Sequence, residues 1–303
     1  MKLAAIDIGS NAIRLHIVKV FEDNDLVSFK KLEYLRFPLR LGHDVFKKGT
    51  ISIPTLDKFT KLMRTFKLLI DLYEVEGYNA VATSAMREAA NGEEVAIYIK
   101  NQTGLDIKII SGTDEARILN KAIIPYLQNK HYIHIDVGGG STELNIFEGK
   151  TLKKSKSFQI GSVRKLSREN RVAVFRKIKE WVKTVDLTNV KNIIGIGTGG
   201  NINKLYKLAN KSKNTALSLT ELKGLRAYVN EFTYQQRMSM LKMNPDRADV
   251  ILPASEIYIK VLQDAGSDQI IVPKVGLKDG LVYELFEKIS GKRLDQIEFI
   301  EGY

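Results

Sequence analysis

Apolar residues recur along this chain with two spacings, and the switches between them outline its elements. Strand-like segments at 2–8, 13–20 and 26–37 predict three strands, with Gly9 in the first turn and acidic residues in the second, at 22–25. Behind Pro54, which a first helical turn tolerates, Leu56, Phe59, Leu62, Met63, Phe66, Leu69 and Ile70 fall at helical spacing and predict a helix over 54–74. A strand at 78–83, a helix over 93–103, a strand at 106–110 and a helix over 113–127 follow, with Pro125 distorting the end of the last. The opening order then returns, with strands at 131–136, 144–147 and 152–159, helices over 163–168 and 172–185, a strand at 192–196 and a helix over 201–209. The remainder predicts helices over 220–231, 234–241 and 245–265, a strand at 269–272 and a helix over 277–289, before a weakly periodic tail.

Three strands and then alternating helices and strands, stated twice, predict an α/β architecture with internal duplication. The expected domains are 1–127 and 128–303, with the tail 291–303 packing back on the first. No Pro/Ser/Gly linker marks the join. The absence of cysteine excludes disulfides and a Cys-based zinc site and fits a reducing cytoplasm. No apolar run reaches the ~18–20 residues of a membrane span, and Asp7 interrupts the apolar start before it could serve as a signal peptide. A cytoplasmic protein without a membrane partner is expected. The net charge of +12 is uneven: residues 1–130 hold 19 Lys/Arg against 16 Asp/Glu, residues 131–303 hold 28 against 19. Twelve basic residues lie between Lys150 and Lys183, which favours a polyanionic partner, although each taken singly reads as a solvated lysine or arginine. No aromatic stacking platform accompanies the basic runs, so no specific nucleic-acid partner is expected.

The candidate chemistry concentrates at strand ends. DIGSN at 7–11 and DVGGGSTE at 136–143 each join two strands through a glycine turn. Such turns expose successive N–H groups, a nest for phosphate, and glycine allows both left-handed backbone and close approach. Gly9, Ser10 and Asn11 form the first candidate loop; a plain hairpin turn is the alternative. In the second, Gly138, Gly139, Gly140 and Ser141 lie between Asp136 and Glu143, which bring two carboxylates across one hairpin. Hard cations such as Mg²⁺ take oxygen ligands of this kind and bridge them to phosphates, whereas the alternative is a solvated glycine turn. Arg87, beyond a strand end, either grips phosphate through its fork or pairs with Glu88 or Glu94. Asp114 and Glu115 suit a helix start capped by Ser111 or Thr113; alternatively one of them is a general base. GIGTGG at 195–200 matches a dinucleotide fingerprint, but no strand ending in an acid follows about 20 residues later, so a turn contacting phosphate or base is the better reading. His131 and His134 fall on opposite faces of a strand and form no zinc pair.

Together these segments resemble the Ppx/GppA family of exopolyphosphatases and guanosine pentaphosphate phosphohydrolases. The resemblance runs in order through DIGSN (7–11), ATSAMRE (82–88), ISG (110–112) with EAR (115–117), DVGGGSTE (136–143), IGS (160–162), GTGG (197–200), RADVILP (247–253) and GLKDG (276–280). It implies two ribonuclease-H-like lobes of the actin, sugar-kinase and heat-shock-chaperone fold around an interlobe cleft. It implies Glu115 as the base that activates water, Asp136 and Glu143 as acids that organise Mg²⁺, the two glycine loops as phosphate holders and Arg87 as a phosphate contact. The implied reaction is removal of the terminal phosphoryl group of inorganic polyphosphate. The alternatives are hydrolysis of the pentaphosphate alarmone pppGpp or another nucleoside polyphosphate, or non-catalytic polyanion binding. A monovalent cation such as K⁺ and a homodimer are further expectations. Asn201 stands where the family usually has Thr, and an end at Tyr303 matches the family's short, two-lobe form.

Overall fold

The computed structural model describes residues 1–23, 26–184, 192–212, 215–293 and 298–300. In chain order the elements are β1 (Lys2–Ile8), β2 (Ile13–Asp23), β3 (Leu26–Phe37), α1 (Leu41–Lys48), α2 (Ile53–Leu72), β4 (Gly77–Ala82), α3 (Ser84–Glu88), α4 (Gly92–Thr103), β5 (Ile107–Ile109) and α5 (Gly112–Ile123), then a 3-10 turn at Ile124–Tyr126. β6 (His131–Val137), β7 (Thr142–Glu148), β8 (Thr151–Phe158), α6 (Arg168–Lys183), β9 (Ile193–Thr198), α7 (Gly200–Leu208), β10 (Leu217–Ser218) and α8 (Leu219–Asn230) follow. The chain continues with α9 (Tyr234–Ser239), α10 (Pro245–Ala248), α11 (Ile251–Asp264), β11 (Gln269–Ile271), α12 (Leu277–Ser290) and β12 (Glu298–Ile300). No described helix is long and apolar enough to cross a membrane.

Two compact units emerge, Met1–Pro125 with Gly276–Tyr303, and Tyr126–Val275. The first holds a sheet of order β12-β3-β2-β1-β4-β5 and the second one of order β10-β11-β9-β6-β7-β8. With the outermost strands β12 and β10 set aside, both sheets follow one order. An antiparallel three-strand meander is extended by two parallel strands, the ribonuclease-H-like arrangement. β1 pairs antiparallel with β2 and parallel with β4, as β6 does with β7 and β9. The central strands are buried on both faces, as helix-covered parallel sheets require: every residue from Leu3 to Ile8 is at most 6% exposed.

Four expectations are corrected. Residues 277–290 belong with the first unit. α12 packs on α5 so closely that a Cβ on Gly280 would fall 2.0 Å from the Ile118 carbonyl oxygen, and Tyr283 and Phe286 meet Phe29 of β3. Residues 163–168 form no helix before Arg168; the backbone donors of Ser162, Val163 and Arg164 serve the carbonyls of Gly138 and Gly139 and hold the segment along the second loop. The helix starts instead at Arg168, where Ser167 accepts from the Asn170 N–H; the expected end at 185 lies outside the described residues. The helix expected over 245–265 breaks after Ala248, whose carbonyl accepts from Arg237 Nη1 rather than continuing the ladder. Finally, α1, α3 and the short β10 have no counterpart in the periodicity. Within the tail, β12 pairs parallel with β3; 294–297 and 301–303 lie outside the described residues.

Candidate functional site

The two glycine hairpins have the same construction. Asp7 lies opposite Arg14 and Ile8 opposite Ile13; Asp136 lies opposite Glu143 and Val137 opposite Thr142. Each turn closes with one bond, Gly9 N–H to Ala12 O at 3.2 Å and Gly138 N–H to Ser141 O at 3.0 Å. None of the glycines of the two hairpin loops adopts a left-handed φ, and at Gly9 and Gly138 a Cβ would come within 3.1 Å of a backbone oxygen of its own turn. At Gly161 the approach is closer: a Cβ there would lie 2.4 Å from Gly139 O and 2.5 Å from Gly139 C. Gly138 O accepts from the Ser162 N–H, Gly139 O from those of Val163 and Arg164, and Gly140 O from Arg164 Nε at 2.6 Å. Its carbonyls are thus engaged on that side, while the Gly138 N–H closes the turn.

The duplicated position is what separates the hairpins. Where the second has Glu143, the first has Arg14, whose Nη1 donates to Asp7 Oδ2 at 2.5 Å. Asp7 is thereby neutralised within its own hairpin, whereas Asp136 faces a second carboxylate. The first loop is also more enclosed. Ser10 is buried with its hydroxyl 2.8 Å from that of Ser84, and its carbonyl accepts from the Gly42 N–H. The Asn11 carbonyl accepts from the N–H of Arg40, which sits at φ 61, a left-handed conformation that costs a non-glycine residue about 1–2 kcal/mol.

In the first unit α5 separates two adjacent acids. Asp114 accepts from Ser111 Oγ while its own N–H donates back to that oxygen, so it belongs to the cap and is half-exposed. Glu115 turns inward, 8% exposed. Arg87 Nη1 donates to the Ile110 carbonyl at 2.7 Å and lies 3.7 Å from Glu115 Oε2. The arginine therefore pairs with neither Glu88 nor Glu94 but joins the end of β5 to Glu115.

In the second unit Asp136 and Glu143 project from one face of the hairpin. Asp136 Oδ1 accepts from Thr198 Oγ1 at 2.6 Å, and Glu143 Oε1 from Ser157 Oγ at 2.9 Å. Gly199, at φ 99, leaves space beside Asp136, since a Cβ there would fall 3.2 Å from Oδ1. Two carboxylates suit Mg²⁺, which keeps several waters and bridges to phosphate oxygens. No cluster of three or more His, Asp or Glu able to hold a metal occurs among the described residues, so an all-protein cage is not what this donor set offers.

Asn145 and Tyr258 were not singled out in the sequence, and His134 was set aside there only as no zinc ligand. Behind Asp136, His134 Nε2 lies 2.8 Å from Thr198 Oγ1, and its Nδ1 2.9 Å from Asn145 Nδ2. Burial pushes the His134 pKa down to about 3, which keeps the ring neutral. Tyr258 donates to the Thr198 carbonyl at 2.5 Å; burial, then the charge of Asp136, raises its phenol pKa well above the usual value. Arg247 lies flat on Gly200, where a Cβ would meet Nη2 at 2.3 Å, and donates to Asn201 Oδ1, an acceptor at the position where the family usually has Thr. The signal for His134 and Asn145 was counting: two residues outward from Asp136 and Glu143, they are the next pair on the same face.

The model of the Ppx/GppA phosphatase family matches residues 19–289. The chain is 29% identical to a bifunctional 3-dehydroquinate synthase/phosphatase of Fusobacterium nucleatum, over 95% of this chain and 47% of that protein. It is 24% identical to exopolyphosphatase 2 of Mycobacterium tuberculosis, over 94% of this chain and 98% of that one. With the guanosine-5'-triphosphate,3'-diphosphate pyrophosphatase of Vibrio cholerae it shares 22%, over 94% of this chain and 59% of that one. The chain thus spans about half the length of the Fusobacterium relative. Among solved structures, the Ppx/GppA family member of Aquifex aeolicus is 27% identical, with a TM-score of 0.76 over 95% of this chain and 98% of that one. An exopolyphosphatase of Cytophaga hutchinsonii shares the fold, with a TM-score of 0.82 at 23% identity, over 97% and 99% of the two chains.

Proposed function

The chain belongs to the Ppx/GppA phosphatase family, and from that premise we propose that it hydrolyses phosphoanhydrides, releasing the terminal phosphate of inorganic polyphosphate. The observation that carries this reading is the second hairpin, which sets Asp136 directly opposite Glu143 beside a glycine loop whose carbonyls are engaged elsewhere. Mg²⁺ held by Asp136 and Glu143 would neutralise charge on the phosphoryl oxygens. Glu115, largely buried beside Arg87, is the candidate base that takes a proton from the attacking water. The N–H groups of Gly139, Gly140 and Ser141 are candidates to hold phosphate oxygens and Arg87 is a separate candidate contact, so catalysis rests on positioning and charge rather than a covalent intermediate. Polyphosphate is favoured by the basic stretch from Lys150 to Lys183 and by likeness along almost the full length of a mycobacterial exopolyphosphatase.

Hydrolysis of pppGpp is the second reading, supported by comparable identity to the Vibrio pyrophosphatase. The test is orthophosphate release in Mg²⁺ from short and long polyphosphate and from pppGpp, by wild type and Glu115→Gln. Glu115→Gln is expected to lose roughly 10²–10⁴-fold in kcat, the range general-base catalysis supplies. If the variant keeps most of its activity, Glu115 is not the base. Faster turnover of pppGpp moves the assignment to the nucleotide, and no release from any of the three leaves a polyanion-binding protein.

A further inference from the structure

His134 and Asn145 form a cross-strand pair one step further from the turn than Asp136 and Glu143, on the same face, and neither is used by the chemistry above. Both are fully buried, as is Thr198. Their hydrogen bonds admit one direction. An ionised Asp136 only accepts, so the single proton of the Thr198 hydroxyl goes to Oδ1. The bond between that hydroxyl and His134 must then be donated by the ring, from Nε2–H. His134 Nδ1 is left bare and accepts from the Asn145 amide, which has only protons to offer there. The Tyr258 bond to the Thr198 carbonyl and the left-handed Gly199 fix the backbone on either side of the hydroxyl.

We propose that His134 and Asn145 are positioning residues, which orient the Thr198 hydroxyl and through it the Asp136 carboxylate that would bind the divalent cation. A buried, fully paired histidine is a costly way to fill a strand interior. An apolar β-branched pair would pack at His134 and Asn145 without any polar group to satisfy. What the polar pair adds is a fixed proton direction at Asp136. The inference rests on the reading of Asp136 as a cation-binding carboxylate.

The experiment is calorimetric titration of the full chain with Mg²⁺, without substrate, alongside kcat and KM at saturating Mg²⁺. The variant His134→Val/Asn145→Val removes both partners together, so that neither polar group is stranded and folding is preserved. It is expected to bind Mg²⁺ about 10–100-fold more weakly, the usual effect of losing a group that orients a metal ligand. His134→Gln, whose amide can still donate to Thr198, should stay within about threefold of wild type on the same scale. Adding Thr198→Val to the double variant should bind no more weakly than Thr198→Val alone, because the pair acts through that hydroxyl. Additive losses, wild-type affinity in the double variant, or a His134→Gln as weak as the double variant would each overturn the proposal. Asp136→Asn separates the two readings. If it leaves Mg²⁺ affinity unchanged, the cation role of Asp136 fails and the inference with it; if it weakens binding while the double variant does not, the positioning role alone fails.

Discussion

His16 stands on β2, 7% exposed, with Tyr34 edge-on at 6.1 Å and Asp279 Oδ1 3.7 Å from its Nδ1. Burial and the charge of Lys278 lower its pKa to about 4, with Asp279 opposing and Lys31 adding to the shift. An unfolded chain takes up this proton near pH 6.5, and the folded chain refuses it until about pH 4. The stability that neutral His16 confers is therefore complete above pH 6.5 and shrinks as pH falls, by about 2 kcal/mol at pH 5. Urea midpoints at pH 7.5 and 5.0 check this, because wild type should lose more stability across the interval than His16→Leu; equal losses would rule the contribution out. The same scale shows what sequence could and could not supply. In their local pattern Asp114 and Glu115 were interchangeable, since both suit a first helical turn, and only the family resemblance pointed to Glu115. One residue of rotation, about 100°, decided that Asp114 closes the cap and Glu115 points inward, and only the packed helix fixes that angle.

Among the elements, the strands were legible and the segments that serve loops were not. β1 and β3 begin and end where the sequence pattern predicts; β1, buried on both faces, has no other way to satisfy its apolar side chains, whereas β3 is largely exposed and is held by its pairing with β2. Residues 163–168 carry helix-compatible residues, yet the backbone donors of Ser162, Val163 and Arg164 tie the segment to the second glycine loop, a non-local demand that periodicity does not register. Gly161 is where that demand is strictest. Gly161→Ala would drive a methyl group into the backbone of Gly139 and Gly140, which cannot yield as a side-chain tip can. Gly224, inside α8, has nothing within 4 Å of a built Cβ. Gly224→Ala should therefore stabilise the protein by up to about 1 kcal/mol through helix propensity alone. Gly161→Ala should destabilise it by at least the ~1–3 kcal/mol of overpacking and also depress phosphate release. Thermal melts and phosphate assays of the two variants make the comparison, and a silent Gly161→Ala would refute the close packing of the second loop.

At the scale of the whole molecule, the duplication could be read from the order of strands and a return of the tail was expected, but the return of α12 to the first unit was not, because nothing local tells a final helix which sheet it will cover. The charge bias was equally visible in the sequence, and it bears on substrate capture. If polyphosphate is drawn in by the basic stretch, its KM should rise several-fold between 50 and 300 mM KCl at fixed Mg²⁺, as screening shortens the reach of the field; a flat KM would remove that role. The discontinuity has a sharper consequence for stability. Phe286 of α12 is fully buried and meets Phe29 of β3 edge-on at 5.4 Å, so Phe286→Ala should cost about 3–5 kcal/mol within the first unit. Trp181, the single tryptophan, packs against Phe158 in the second unit and reports that unit by fluorescence, while far-UV circular dichroism reports both. In urea, Phe286→Ala should lower the dichroism midpoint more than the Trp181 midpoint. A fall confined to Trp181 would return α12 to the second unit, where its place in the sequence had put it.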